Sequence, residues 1–457
     1  MNSGAQGQCP SHGNEPPNLP EPPNLHEPPN LLGGGTPNEF GGSRAARFSS
    51  RYPRRGAYPV EPPQRPEGRP IRLAVVEAIC SRYRVPVYRR LSRHPALEVR
   101  LFVGTGLPGS KTVNADDTSG LDLVTMTTFR RGVRSGGRLV PLLFNPTAAW
   151  HLWRWKPDVL LMQGGEPFTN LPILVYARLF RRPVIWWSLG ELRGRRYTGP
   201  SRLYRRLVQF IERRCDIYLG YSSAAIDYFR RMGYPLERCY NTVNVVDTDL
   251  VAQQAAAARR DVEPLRRRLG LGRGPIVLYV GAMEQPKRVD RLLRAFRDLH
   301  DEPYMAGAHL LLVGDGRERA PLERLADSLG LAGRATFVGA VYEGVGAYFQ
   351  LADLLVLPGT GGLAVSEAMA HGLPVVCAVG DGCELDLIQD GRTGWVLSDD
   401  DPGALSRALR TCLSDADRLR EMGRHARRAI DAEFNISRFM NEMFAAVFAA
   451  CTLRRPG

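Results

Sequence analysis

The chain predicts an α/β protein of two doubly wound, Rossmann-like domains facing each other across a cleft, and three observations carry that expectation. Branched apolar runs alternate with helical stretches over about residues 71–250 and again over 275–435, the pattern of parallel sheets with helices on both faces. An Ala-rich, charged stretch over 251–274 separates the two alternations and reads as a linker containing a helix. The third observation is the stretch from Pro358 to Val376, where an apolar run over 353–357 ends in a glycine turn, a helical stretch follows, and Gly372-Leu373-Pro374 stops it before a second strand at 375–378.

Residues 1–70 precede all of this. Glu-Pro-Pro-Asn-Leu occurs three times there, starting at Glu15, Glu21 and Glu27, a period too short for a solenoid and too rich in proline for a packed core. The segment reads as a disordered, polyproline-like tail, either a dispensable extension or a ligand for a proline-binding partner. Order begins at Ile71. The pattern predicts strands over 71–76 and 97–103, a helix over 85–91 opening with Pro86, loops over 104–137 around a strand near 121–126, and a helix over 142–155. Strands over 158–162, 183–187 and 216–219 then alternate with helices over 171–180, 201–214 and 222–232. In the second alternation strands are expected over 276–280, 309–313, 335–338, 353–357, 375–378 and 394–397. Helices are expected over 289–299, 318–329, 346–350, 402–413 and 417–433. The final stretch, 436–457, carries Phe439, Met440, Met443, Phe444, Val447 and Phe448 on a helix expected to return to the first domain.

At the central stretch, Gly359, Gly361 and Gly362 remove side chains, so backbone N–H groups at the helix start can approach a ligand, and the helix dipole favours negative charge there. Glu367, about one turn into the helix, can aim a carboxylate at a hydroxyl. Phosphate at the amides and a sugar hydroxyl at Glu367 together describe a nucleotide site; a merely tight turn is the alternative.

Composition narrows the classes. Hydrophobic residues at 44% and charged residues at 24% are ordinary for a soluble globular chain and allow a large core. The eight cysteines are scattered with no metal-ligand spacing, which fits a reducing cytoplasm and gives no reason to expect a metal. No apolar run reaches the length of a membrane span, and no signal-peptide core opens the chain. The formal charge of +14 invites nucleic acid, yet Arg is spread along the chain and RNA-binding signatures are absent, so no nucleic-acid partner is expected. Acidic substrates or an anionic membrane surface account better for the charge. Residues 193–214 are a candidate for such a surface: Arg202, Arg205, Arg206 and Arg213 share one broad helix face, preceded by Arg193, Arg195 and Arg196. The same pattern also fits a solvated basic face over a core-packed helix.

Several pieces resemble the large family of retaining GT-B-fold glycosyltransferases that includes bacterial polysaccharide and lipid-glycan synthases. They are Tyr279-Val280-Gly281 with Lys287 six residues after the Gly, Leu312-Val313-Gly314-Asp315-Gly316, Val338-Gly339, and Glu367-Ala368-Met369-Ala370-His371-Gly372-Leu373-Pro374-Val375-Val376. Asp390-Gly391-Arg392-Thr393-Gly394 resembles the family's closing turn, and Cys215-Asp216, Tyr221-Ser222 and Asn244-Val245-Val246-Asp247 are similar in the first domain. The resemblance spans about 71–450. It implies a metal-independent hexosyltransferase whose donor is a nucleotide-diphosphate sugar and which needs no cofactor. Lys287 would neutralise the diphosphate, the amides of Gly361, Gly362, Leu363 and Ala364 would bind its oxygens, Glu367 would hold the ribose, Val338-Gly339 would lie near the base, and Gly281 would also belong to the donor site.

Two departures stand out. Gly359 occupies the place of a family Glu, and Ala282 that of a family Arg; Arg288 is a candidate to supply the missing charge, and the Pro-Gly-x-x-Gly-Leu loop points to a variant with a shifted donor preference. On the acceptor side, Glu166 and Glu191 stand at carboxyl ends of predicted strands, where ligands gather, with helix-start electrostatics as the alternative for each; Tyr83 and Arg84 are further candidates to face acceptor. The acceptor is expected to be a polysaccharide or lipid-linked glycan and the location cytoplasmic, peripheral at the inner membrane face. A nucleotide-sugar epimerase on the same fold and a catalytically silent nucleotide- or glycan-binding protein are the alternatives.

Overall fold

The computed structural model describes residues 68–106, 114–135, 138–191, 199–398, 401 and 403–453. The repeats at Glu15, Glu21 and Glu27, and Arg193, Arg195 and Arg196, lie outside the described residues. In the first domain, β1 (Ile71–Glu77), α1 (Val85–Ser92), β2 (Leu97–Val103) and β3 (Leu123–Thr125) are followed by a hairpin of β4 (Phe129–Ser135) and β5 (Arg138–Phe144). The order continues α2 (Ala148–Trp155), β6 (Val159–Gln163), α3 (Pro167–Leu179), β7 (Val184–Ser188), α4 (Pro200–Glu212), β8 (Ile217–Gly220), α5 (Ser223–Arg231) and β9 (Cys239–Asn241). Seven strands form one parallel sheet in the order β3-β2-β1-β6-β7-β8-β9. Fully buried Leu73, Leu160, Leu161, Ile185 and Leu219 explain why the strands read as continuous apolar runs: both faces of the sheet are covered. Helices α2 to α5 share a core with one face.

The helix α6 (Thr248–Arg268) leads to the second domain. Its start is capped by Asp247, whose carboxylate accepts the Asp249 and Leu250 N–H groups at 3.2 Å. The second domain runs β10 (Ile276–Val280), α7 (Val289–Asp298), β11 (His309–Val313), α8 (Arg319–Ser328), β12 (Ala335–Gly339), α9 (Val345–Leu351), β13 (Leu354–Leu357), α10 (Ala364–Ala370), β14 (Val375–Ala378), α11 (Glu384–Leu387), β15 (Gly394–Leu397), α12 (Ala404–Leu413), α13 (Ala416–Ala432) and α14 (Ile436–Thr452). Its parallel sheet has the order β12-β11-β10-β13-β14-β15. The direction of winding reverses between β1 and β6 in the first sheet and between β10 and β13 in the second, and each reversal opens a crevice at the strands' carboxyl ends.

The structure departs from the expected elements at β4 and β5, and at β9 and α11, which are too short to carry a period. The helix expected over 142–155 begins only at Ala148. Residues 142–144 instead belong to β5, paired with β4 from Phe129↔Phe144 to Ser135↔Arg138, because backbone groups paired with a neighbouring strand outweigh local helical spacing. The stretch 251–274, read as a linker containing a helix, does hold most of α6, and that helix is packed: Ala258 and Leu265 are buried, and the Gln350 amide of α9 donates to the Ala255 carbonyl at 2.6 Å. Helix α14 crosses beneath the first sheet, with Phe439 6.3 Å from Trp187 and Phe444 4.6 Å from His94, ring centre to ring centre. Polar contacts join the two domains directly. The buried Asp386 carboxylate of α11 accepts the Ser223 N–H at 2.8 Å and also the Ser223 hydroxyl, the Cys383 thiol donates to the Tyr221 carbonyl at 3.1 Å, and the Val246 N–H donates to Ser366 Oγ at 3.1 Å.

Candidate functional site

The loop between β13 and α10 sits at the winding reversal of the second sheet, and its glycines have different reasons to be there. A Cβ on Gly359 would lie 2.2 Å from the Pro286 carbonyl oxygen, so the loop rests directly on the backbone that carries Lys287. Thr360 N–H donates to that same Pro286 carbonyl at 3.1 Å. A Cβ on Gly361 would meet the Glu384 carboxylate at 2.4 Å, whereas Gly362 is open to space but has φ +144°, a conformation side chains rarely adopt. Lys287 Nζ donates to the Thr360 and Gly361 carbonyls at 2.7 and 2.9 Å. The backbone N–H groups of Gly361, Gly362, Leu363 and Ala364 donate to no acceptor among the described residues. A cation and unpaired donors thus meet at one turn.

Glu367 lies on α10, and its carboxylate has no hydrogen-bond partner among the described residues. Burial raises its pKa to about 7, because an anion there has lost water without gaining a partner. Glu384 was not singled out by the sequence reading. Its carboxylate accepts the Gly380 and Gly382 N–H groups at 3.2 and 3.0 Å, and burial followed by the charge of Asp381 raises its pKa to about 7. The signal was present: Gly380-Asp381-Gly382 after β14 repeats the glycine turn after β13.

The remaining second-domain candidates gather at neighbouring strand ends. Gly281 N–H donates to the Val313 carbonyl at 3.0 Å, and Gly314 N–H to the Gly339 carbonyl at 2.8 Å. A Cβ on Gly314 would lie 1.8 Å from the Gly281 oxygen, so the glycines permit three strand ends to touch. Val338 lies in β12 next to Gly339, which ends the strand. Arg319, also missed from sequence, donates to the Phe337 carbonyl at 3.3 Å and reaches the edge of Gly339. Arg288 has φ +52° at the junction with α7, and its guanidinium lies 3.8 Å from Asp290 of its own helix. Across the cleft, the Arg82 guanidinium lies 5.6 Å from the ring centre of Tyr342, which is 80% exposed.

The first-domain carboxylates end neighbouring strands but differ in kind. Glu166 follows β6 and precedes α3 without capping it. Burial raises its pKa to about 7, partly offset by the Leu143 backbone N–H. Glu191 follows β7, is 38% exposed and lies 3.8 Å from the largely buried Arg205 guanidinium. Of the residues after β1, Tyr83 is exposed but Arg84 is not. Arg84 lies 3.7 Å over the Trp187 ring, donates to the Tyr221 hydroxyl and sits 3.6 Å from the buried Glu77 carboxylate. The expectation that Arg84 faces an acceptor is therefore corrected: its guanidinium closes a buried aromatic box, where a neighbouring carboxylate and ring faces compensate its desolvation.

Residues 261–429 match the family described as "Glycosyl transferases group 1". Among curated proteins, the chain is 32% identical over 189 residues to a GDP-mannose-dependent alpha-(1-6)-phosphatidylinositol monomannoside mannosyltransferase of Mycolicibacterium smegmatis, covering 39% of this chain and 48% of that protein. It is 27% identical over 262 residues to the alpha-D-kanosaminyltransferase of Streptomyces kanamyceticus, covering 54% of this chain and 66% of that protein. The chain thus spans about half to two thirds of the length of these relatives. Among solved structures, Anabaena HepE in complex with UDP superposes with TM-score 0.62 at 18% identity, covering 83% of this chain and 99% of that chain. The sucrose-phosphate synthase of Thermosynechococcus elongatus gives 0.61 at 20% identity, covering 83% and 100%. With its two parallel-sheet domains, the chain adopts the GT-B fold, and the match to the glycosyl transferases group 1 model falls on its second domain and the end of α6.

Proposed function

We propose that this protein is a retaining glycosyltransferase that moves a hexose-type sugar from a nucleotide-diphosphate sugar to a polysaccharide or lipid-linked glycan. The observation that carries the proposal is the meeting of Lys287, the unpaired amides of 361–364 and the unpartnered Glu367 at one strand-to-helix turn. As the bond between the anomeric carbon and the diphosphate oxygen breaks, negative charge grows on the leaving diphosphate. A fixed ammonium and preorganised amides stabilise that charge without a resident metal. Glu367 accepts hydrogen bonds from the ribose, which give its carboxylate the partners it lacks in the free chain. Val338, Gly339 and Gly281 flank the base, and Arg288 adds positive charge near the phosphates if it leaves Asp290. The relatives' use of GDP-mannose and of a phosphatidylinositol-linked acceptor supports this substrate class.

Glu166 is the better acceptor-side candidate, since its burial keeps a proton near neutrality, whereas Glu191 lies 3.8 Å from the Arg205 guanidinium. Among the described residues no helix is long and apolar enough to cross a membrane, and we place the reaction at the cytoplasmic membrane face. A silent nucleotide-binding protein is the second reading, favoured by Gly359 and Ala282 standing where the family has Glu and Arg. A screen of the full chain against UDP-, GDP-, ADP- and TDP-sugars, reading both thermal shift and sugar transfer or donor hydrolysis, separates the two. Transfer that Glu367→Ala abolishes is expected. Stabilisation by a nucleotide without turnover of any donor would favour the silent reading, and full activity in Glu367→Ala would refute the site.

A further inference from the structure

Three neighbouring helices of the first domain turn large apolar side chains toward solvent. On α2 these are Trp150 and Trp153, at 51% and 54% exposure; on α3, Val175 and Leu179, at 60% and 73%; on α4, Leu203 and Phe210, at 71% and 44%. Spacings of three, four and seven residues put each pair on one helix face. The opposite faces are occupied: Leu152, Leu174 and Val208 sit in the core beneath. Helix α3 touches both α2 and α4. The Tyr204 hydroxyl of α4 also donates to the Gly165 carbonyl just before α3. The three stripes therefore belong to one surface, and a contiguous apolar surface of this kind marks an interaction site.

Its charge selects the occupant. Arg154, Arg178, Arg202, Arg206 and Arg213 stand exposed among these side chains. Arg154 lies 5.7 Å over the ring of Trp150, and Arg214 3.6 Å over that of Phe210. Helices α2 and α3 contain no Asp or Glu. The one acid of α4, Glu212, is 1% exposed and accepts the Tyr228 and Tyr234 hydroxyls, and Glu191 nearby is opposite Arg205. Asp216, the acid beside α3, is already paired with Arg178 at 3.7 Å, so a second copy docked by two-fold symmetry would bring an excess of arginines against their own kind.

We propose that α2, α3 and α4 together form a docking surface for a bilayer containing anionic lipid. The indoles and aliphatic chains enter the boundary between headgroups and acyl chains, and the guanidinium groups engage lipid phosphates. This widens the candidate surface from the basic helix of 193–214 to a three-helix face. It stands apart from the donor-site reading, because vesicle binding requires no turnover and its failure would leave nucleotide binding untouched.

The test is flotation of the full chain with vesicles of phosphatidylcholine alone and of phosphatidylcholine mixed with phosphatidylglycerol. Binding is expected only to the mixed vesicles. Arg202→Ala/Arg206→Ala/Arg213→Ala should weaken it roughly a hundredfold. Trp150→Ser/Trp153→Ser and Leu203→Ser/Phe210→Ser should each weaken it at least about tenfold. Because all these side chains are exposed, unchanged melting temperatures and nucleotide affinities verify that the variants fold. Failure to float with the mixed vesicles overturns the proposal. So does binding that the serine variants leave intact, which would reduce it to general adhesion of a basic chain. A dimer that forms without vesicles and dissolves in the serine variants would assign the face to a second copy.

Discussion

Glu367→Gln should make the protein more stable and worse at binding its nucleotide. In the free chain the carboxyl titrates at about 7 rather than 4.5, through burial. Between those values the folded chain holds a proton that the unfolded chain has released, so stability falls as pH rises through this window. The native contribution is whole below the unfolded value and is lost above the folded one. A shift of this size corresponds to about 2–3 kcal/mol at pH 8, after allowing for relaxation of a partly open site. Glutamine preserves shape without the charge, so the variant should melt about 3 °C higher at pH 8 and match the parent near pH 4. Nucleotide affinity should fall at least about tenfold, since a hydrogen bond to a charged group is lost. The parent's affinity should improve as pH rises through 7 more steeply than that of the variant. Differential scanning calorimetry and titration calorimetry over pH 4 to 9 measure both. A stability gain independent of pH, or unchanged nucleotide affinity, would refute the reasoning.

Lys287→Ala should lower affinity for nucleoside diphosphates about 10–100-fold while leaving that for the bare nucleoside nearly unchanged, because the ammonium is assigned to phosphate alone; isothermal titration with the two ligands separates these effects. Gly359→Ala places its Cβ 2.2 Å from the Pro286 oxygen and should cost about 1–3 kcal/mol in denaturant unfolding. For the same reason Gly359→Glu should lose donor binding in a transfer assay rather than gain activity. Asp386→Ala strands the buried N–H and hydroxyl of Ser223 and should cost about 2–4 kcal/mol, with Asp386→Asn recovering part of it in thermal melts.

The alternation of branched and amphipathic runs was enough to place every strand of both sheets except β9, since strands buried on both faces must be apolar throughout. It failed at β4 and β5, where pairing between strands decided the outcome, and at α11 and β9, which are too short to carry a period. The glycine turn, Lys287 and Glu367 were legible because their spacing from strand ends is local. Glu384 and Arg319 were missed, because each meets its neighbours only in the fold: Glu384 reaches the Gly361 loop from α11, and Arg319 reaches the Phe337 carbonyl from α8. Arg84 was read as a residue facing acceptor, since it follows the end of a strand; only Glu77, Trp187 and Tyr221, brought together from the ends of three separate strands, could hold it inside.

Sequence alone therefore determined the two-domain layout and the strand, glycine turn and helix of Pro358 to Val376, because helix and strand periods and glycine conformations are properties of neighbouring residues. Tertiary structure decided why Gly359 bears no side chain, which carboxylates hold a proton near neutrality, and that three helices share one apolar, arginine-rich face. Those outcomes depend on close approach and loss of water between segments far apart in the chain, and no local pattern records them.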